Sequence, residues 1–215
     1  MTWTEPSGFP PEGDSAPRRR GLASRLGGFL RDLIEAVVLA VVLFFALQYV
    51  VQNTVVEGSS MHPNFVNREH LLVNKLAYRR SEPMRGDVVV FRSDEPSGKE
   101  FIKRVIGLPG DTVELREGAV YIDGQPLAEP WLPIVDESDF PPYQVPLGHY
   151  FVLGDNRANS NDSRVFGTGY GTQGFEEHAV PEQLIVGKVW LSVWPMDTWG
   201  IVEAGGQTAI QSRQP

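Results

Sequence analysis

The chain has 215 residues and is 41% hydrophobic, enough for one ordinary globular domain with tails and a packed core, which excludes a wholly disordered protein. A formal net charge of -8 argues against a broadly basic surface, so nucleic acid is not an expected partner. With no cysteine, disulfides and thiolate metal sites are excluded outright.

Residues 1–31 read as a disordered basic tail: the first 17 are rich in Pro, Gly, Ser and acids without apolar periodicity, and Arg18, Arg19, Arg20, Arg25 and Arg31 follow. The next segment, 32–54, reads as a membrane anchor. Its apolar run Leu33–Val51 carries a single charge, Glu35, and is apolar on every face, unlike an amphipathic surface helix. About 20 residues rising ~1.5 Å each cross the ~30 Å hydrocarbon core. A cleavable leader fits less well, because QNTVVEG after Val51 offers no small-residue cleavage site. No Lys or Arg follows the run until Arg68, so the positive-inside rule puts the N-terminus in the cytoplasm and the rest of the chain outside the inner (plasma) membrane, with one pass through the lipid bilayer.

Residues 55–200 read as an extracytoplasmic β-rich domain, followed by a flexible C-terminal tail over 201–215. DVVVF (Asp87 to Phe91), FIKRVIG (Phe101 to Gly107), TVELREGAVYIDG (Thr112 to Gly124), HYFVLGD (His149 to Asp155) and LIVGKVWLSVW (Leu184 to Trp194) are rich in β-branched and aromatic residues and bounded by turn formers. Glu117-Gly118 and Asp123-Gly124 are expected turns. The fold class is therefore mainly β, an antiparallel sheet domain behind one N-terminal transmembrane helix. For Trp131, Trp190, Trp194 and Trp199, core packing is expected of most, with membrane-interface anchoring the other use of such rings.

Metal chemistry finds no support in the pattern. A calcium loop starting at Asp155 would need Gly and Glu at its sixth and twelfth positions, which are Ser160 and Phe166. The four histidines, His62, His70, His149 and His178, are scattered without an HExxH pair. No metal and no cofactor are expected.

A serine nucleophile needs a base; spacing leaves a Ser-His-Asp triad open, since its members can lie far apart in sequence, but no GxSxG elbow is present. Lysine can serve if burial lowers its pKa from about 10.4 by some 3 units. Lys103 lies between Phe101-Ile102 and Val105-Ile106, so strand alternation can turn it to one packed face and Arg104 to the other. An exposed strand lysine whose stem covers apolar surface fits the same position.

GSSMHP, RGDVVVF, FIKRVIGLPGD and GDNRANSNDSRVFG stand in the order and approximate spacing of bacterial type I signal peptidases, and the chain resembles that family from its anchor to about Pro195. The resemblance implies two antiparallel β-sheet regions and a Ser/Lys-dyad serine endopeptidase that cleaves signal peptides from exported preproteins, expected as a monomer. It implies that Ser60, before Met61, is the nucleophile and Lys103 the general base, with the Ser60 N–H in the oxyanion hole. Gly58 stands where some members have a hydroxyl donor, leaving the second donor to a backbone group or water. Ser160 is expected to hydrogen-bond the lysine amine. Asp155, Asp162, Arg164 and Arg104 are expected to support the site through ion pairs and turn hydrogen bonds, and Met61 to pack beneath the dyad. Phe65 and Val66 are candidates for the substrate pockets. Asn64 replaces the family's usual Thr, Ala158 a frequent Asp, and Thr168 to His178 forms an insertion. A self-cleaving Ser/Lys repressor would carry a DNA-binding domain instead of the anchor. The alternative from another class is a catalytically silent membrane-anchored binding or chaperone protein on the same scaffold.

Overall fold

The computed structural model describes residues 22–93, 98–132, 137–166 and 178–202. Most of the expected N-terminal tail, nearly all of the 168–178 insertion and the C-terminal tail past residue 202 lie outside the described residues.

A single helix, α1, runs Leu22–Val50. It starts ten residues before the expected anchor boundary and stops before its end, because Val51–Val55 is a strand. Within it, Gly28–Val50 is long and apolar enough to cross a membrane, spanning about 35 Å at ~1.5 Å per residue. Its described apolar side chains are exposed around the whole circumference, Phe45 at 66% and Leu47 at 64%, unlike a helix that packs one face on a core. Glu35 is matched one turn away by Arg31, whose Nε donates to its carboxylate at 2.8 Å.

Twelve strands follow among the described residues: β1 (Val51–Val55), β2 (His70–Asn74), β3 (Val88–Arg92), β4 (Glu100–Gly107), β5 (Thr112–Arg116), β6 (Ala119–Ile122), β7 (Gln125–Pro126), β8 (Phe140–Gln144), β9 (His149–Leu153), β10 (Val180–Pro181), β11 (Ile185–Trp194) and β12 (Gly200–Ile201). The larger sheet has the order β1-β2-β11-β3-β4-β9-β10, with β12 also on β11, and the smaller the order β7-β6-β5-β8. Every pairing is antiparallel.

β3 is buried on both faces. Alternation sends Val88 and Val90 into a core with Met61, Phe65, Leu71 and Ile102, while Val89 and Phe91 enter a second with Val105, Val152 and Phe166. A third core joins the smaller sheet, through Val113, Leu115 and Phe140, to Ile106 and Phe151 of the larger. β8, with Pro141 and Pro142, escapes a propensity reading because proline cannot donate to a ladder; it is tolerated here on the outer edge of the smaller sheet. Core packing holds only for Trp131, which is 7% exposed, whereas Trp190, Trp194 and Trp199 lie between 41% and 57% exposed. Trp190 and Trp194 sit at exposed positions of β11, whose pairing with β2 shifts register between Val189 and Leu191 and again between Ser192 and Trp194, so that Val189 and Ser192 are both buried although simple alternation would put them on opposite faces.

One feature of the pairing positions the site. Along Glu100–Lys103, β4 has ladder partners only on β3; β9 joins its other side from Arg104 onward. β1 is likewise paired only with β2. Among the described residues, two strand segments therefore keep free backbone edges.

Candidate active site

The stretch Gly58–Phe65 forms a tight turn after β1. Gly58 has φ +88°, a left-handed conformation that glycine alone adopts freely, and its N–H donates to Asn67 Oδ1 at 2.9 Å. The turn closes through His62 N to Ser59 O (3.1 Å) and Phe65 N to Met61 O (2.9 Å). Residues of the DNRANSND segment hold it from the opposite side. Asn156 N donates to Ser60 O at 2.9 Å, Asn156 Nδ2 to Ser59 O at 3.0 Å, and Asn159 Nδ2 to Ser59 Oγ at 2.9 Å. Gly154 permits this approach: a Cβ there would lie 2.5 Å from Ser60 O and 2.2 Å from Ser160 Oγ.

Ser60 Oγ lies 2.8 Å from Lys103 Nζ, which is also 3.1 Å from Ile102 O. Lys103 is only 3% exposed. Burial is the main influence on its amine and lowers its pKa to about 8, against the opposing pull of the Asp162 and Asp155 carboxylates. Each of those carboxylates is occupied by an arginine. Arg104 donates through Nε and Nη2 to Asp155 at 2.8 and 2.6 Å, and Arg164 Nε donates to Asp162 at 2.9 Å. Asp162 also accepts from Gly154 N at 3.0 Å. A hydroxyl beside a desolvated amine can lose its proton to it, which is how an alkoxide forms at neutral pH without histidine or metal.

Arg104, expected on a packed face opposite Lys103, is completely buried, with its guanidinium 4.9 Å from the Trp131 ring centre. Met61 is 1% exposed and packs in the first core with Phe65 and Ile102. The substrate-pocket expectation needs correction. The turn folds Phe65 back into that core, and neither it nor Val66, whose N–H binds Glu69 Oε2 at 2.8 Å, lines the cleft. Ser160 also departs from expectation: its buried Oγ makes no hydrogen bond among the described residues, and the lysine amine is engaged by Ser60 and Ile102 instead.

The cleft over the Ser60–Lys103 pair measures about 670 Å³ and runs between the free edges of β1 and β4, with Asn53, Val55, Phe101, Ile102 and Asn159 on its walls. Asn53, Val55, Phe101 and Ile102 escape a sequence reading because they belong to strands whose edges are left open only by the fold. Asn64 is another. Its Nδ2 donates to Trp131 O and to Asp155 Oδ2, both at 2.8 Å, so the departure from Thr adds a brace to the Arg104–Asp155 pair. Arg157 does similar work through a buried ion pair with Glu129 and a 3.1 Å bond to Gly154 O. The amide-rich DNRANSND run was the available signal for Asn156 and Asn159. Among the described residues no group of three or more His, Cys, Asp or Glu side chains could hold a metal ion.

An anchored antiparallel β domain that sets a serine hydroxyl against a desolvated lysine in an open-edged cleft has the makings of a serine peptidase. A family model for signal peptidase, peptidase S26, matches residues 30–194. A probable signal peptidase I-1 of Synechocystis sp. is 36% identical over 193 residues, covering 86% of this chain and 92% of its own length. Signal peptidase I of Leptolyngbya laminosa is 37% identical over 179 residues (80% and 83%), and signal peptidase I T of Bacillus subtilis 40% over 141 (60% and 72%). The chain belongs to the signal peptidase family, peptidase S26.

Proposed function

We propose that this protein is a membrane-anchored serine endopeptidase that removes N-terminal signal peptides from exported preproteins, with Ser60 as nucleophile and Lys103 as general base. The observation that carries the residue assignment is the 2.8 Å separation of Ser60 Oγ from the buried Lys103 amine. Neutral Lys103 accepts the Ser60 proton as Oγ attacks the scissile carbonyl. The protonated amine then delivers that proton to the departing nitrogen, leaving an acyl-enzyme at Ser60. Lys103, neutral again, takes a proton from water as its oxygen attacks the ester carbonyl, and the ammonium returns that proton to Ser60 Oγ as the carboxyl product leaves. The Ser60 N–H has no acceptor among the described residues and can meet the oxyanion. Gly58 brings no hydroxyl, so the second contact falls to a backbone N–H or water.

The substrate segment before the cut adds as an extended strand to the free edges of β1 and β4, where apolar Val55, Phe101 and Ile102 accept small side chains. Ser60 comes nine residues after Val51, within about 30 Å of the end of the span even if fully extended. A preprotein whose apolar segment lies in the same bilayer presents its cleavage site at that height. The N-terminus lies in the cytoplasm and the β domain outside, following the arginines before the span. All the proposed reacting groups come from one chain, so a monomer suffices.

The test is cleavage of a model preprotein by purified protein alongside Ser60→Ala, Lys103→Ala and Lys103→Arg. All three variants are expected to be inactive, the last because a guanidinium stays protonated. Activity near wild type in any of them overturns the assignment.

A further inference from the structure

The segment KLAYRR, Lys75 to Arg80, places three cations within six residues of a chain whose net charge is -8. Two of them reach the last turn of the membrane-spanning helix. Lys75 Nζ donates to Gln48 O at 3.0 Å, and Lys75 N to Val50 O at 2.9 Å. The Arg79 guanidinium hydrogen-bonds Tyr49 Oη and stands 4.9 Å from that ring's centre. Because Gly28–Val50 is the span, these contacts hold Lys75 and Arg79 at the height where the helix leaves the hydrocarbon and phosphates begin. Arg80 is exposed and has no hydrogen-bond or ion-pair partner among the described residues.

The cations retain unused donors. Lysine has three N–H groups and arginine five, and each contact with the helix end uses one. Among the described residues no carboxylate forms an ion pair with any of the three. Lys75 and Arg79 line a cleft of about 490 Å³ together with Tyr78, Pro83, Glu182 and Ile185, roomy enough for a headgroup. Glu182 and Gln183 in its wall supply acceptors suited to the hydroxyls of a polyol headgroup.

We propose that Lys75, Arg79 and Arg80 form a binding site for the phosphodiester of an anionic phospholipid in the leaflet from which the anchor emerges. The bound lipid ties the start of the β domain to the membrane surface, independently of the peptidase reading. A juxtamembrane cation adds roughly a fivefold preference for anionic lipid, so three together give at least a tenfold effect.

The experiment uses full-length protein in phosphatidylcholine nanodiscs doped with a photoactivatable phosphatidylglycerol, with crosslinks mapped by peptide mass spectrometry. In the wild type, label is expected on the peptide around residues 75–83. Lys75→Gln/Arg79→Gln/Arg80→Gln should lower it at least tenfold, and Arg80→Gln, whose exposed guanidinium has no polar partner among the described residues, about fivefold without loss of folding. The Lys75→Arg/Arg79→Lys/Arg80→Lys protein should keep it. Equal labelling of wild type and Arg80→Gln, or equal labelling by a phosphatidylcholine probe, overturns the proposal. So does loss of label in millimolar inorganic phosphate, which would assign the cations to a free anion.

Discussion

Arg104 grips Asp155 through two hydrogen bonds of 2.8 and 2.6 Å, with 0% and 1% of their side chains exposed. The pair sits one residue along the strand from Lys103, and Arg104 N is in the segment where β9 takes up the open side of β4. Removing one partner leaves the other charge buried and unmatched, at a cost of about 3–5 kcal/mol. Arg104→Met is therefore expected to lower the urea midpoint severely, whereas Arg104→Met/Asp155→Leu should recover much of the loss. Full additivity of the two single effects would count against this account.

The buried Lys103 amine predicts a pH profile. With a pKa of about 8, roughly a tenth of it is neutral at pH 7. The rate of preprotein cleavage by the full chain in detergent should rise close to tenfold per pH unit below pH 7 and level off above 8. A profile flat from pH 6 to 9 would mean that the titrating amine is not the base.

The same shift has a consequence for stability, and its sign is fixed by linkage. Because the folded pKa of about 8 lies below the ordinary value of 10.5, the unfolded chain binds more protons between these limits. Burying Lys103 costs most below pH 8, about 3 kcal/mol, and the cost fades as pH rises to 10.5. Lys103→Met, which has no activity to compare, should be more stable than wild type at pH 7 and lose that advantage by pH 10.5 in urea titrations.

Gly154→Ala tests the approach of the two loops. The new Cβ would meet Ser60 O at 2.5 Å, and a backbone oxygen cannot swing aside as a side chain can. Overpacking of this kind costs about 1–3 kcal/mol. Displacing Ser60 should also reduce kcat/KM more than tenfold at temperatures where the variant is still folded, as checked by circular dichroism.

Asn64→Ala takes one donor from Trp131 O and from Asp155 Oδ2 together. A loss of about 1–3 kcal/mol is expected. Asn64→Thr, with a single hydroxyl donor, can serve only one of the two acceptors and should fall between Ala and wild type in thermal unfolding.

Local signals were enough for much of the molecule. An apolar run of spanning length has few other uses, so the anchor was legible, though not its ends. α1 extends back to Leu22 because nothing in LASRLGGFLR breaks a helix decisively, and it yields at Val51 because that residue already pairs with Asn74, a partner 23 positions away. Strands with alternating or uniformly β-branched residues, such as β3, β4 and β5, were readable, and β1, β2 and β8 were not. Their sequences are short, polar or proline-containing, and it is pairing that makes them strands.

At the candidate site, the residue types and their order pointed to Ser60 and Lys103, because chemistry restricts which side chains can act as nucleophile and base. Only the tertiary structure decided what surrounds them. Whether Lys103 is dry, whether Phe65 faces the cleft or the core, and which acceptors Asn64 and Asn156 find all depend on segments tens of residues apart meeting in space. Ser160, so near the motif's other polar residues, has no hydrogen-bond partner among the described residues, while the lysine amine meets Ser60 Oγ and Ile102 O. Sequence names the reacting groups, since they are local chemistry; burial, open strand edges and hydrogen-bond partners come from packing, which no single stretch of chain contains.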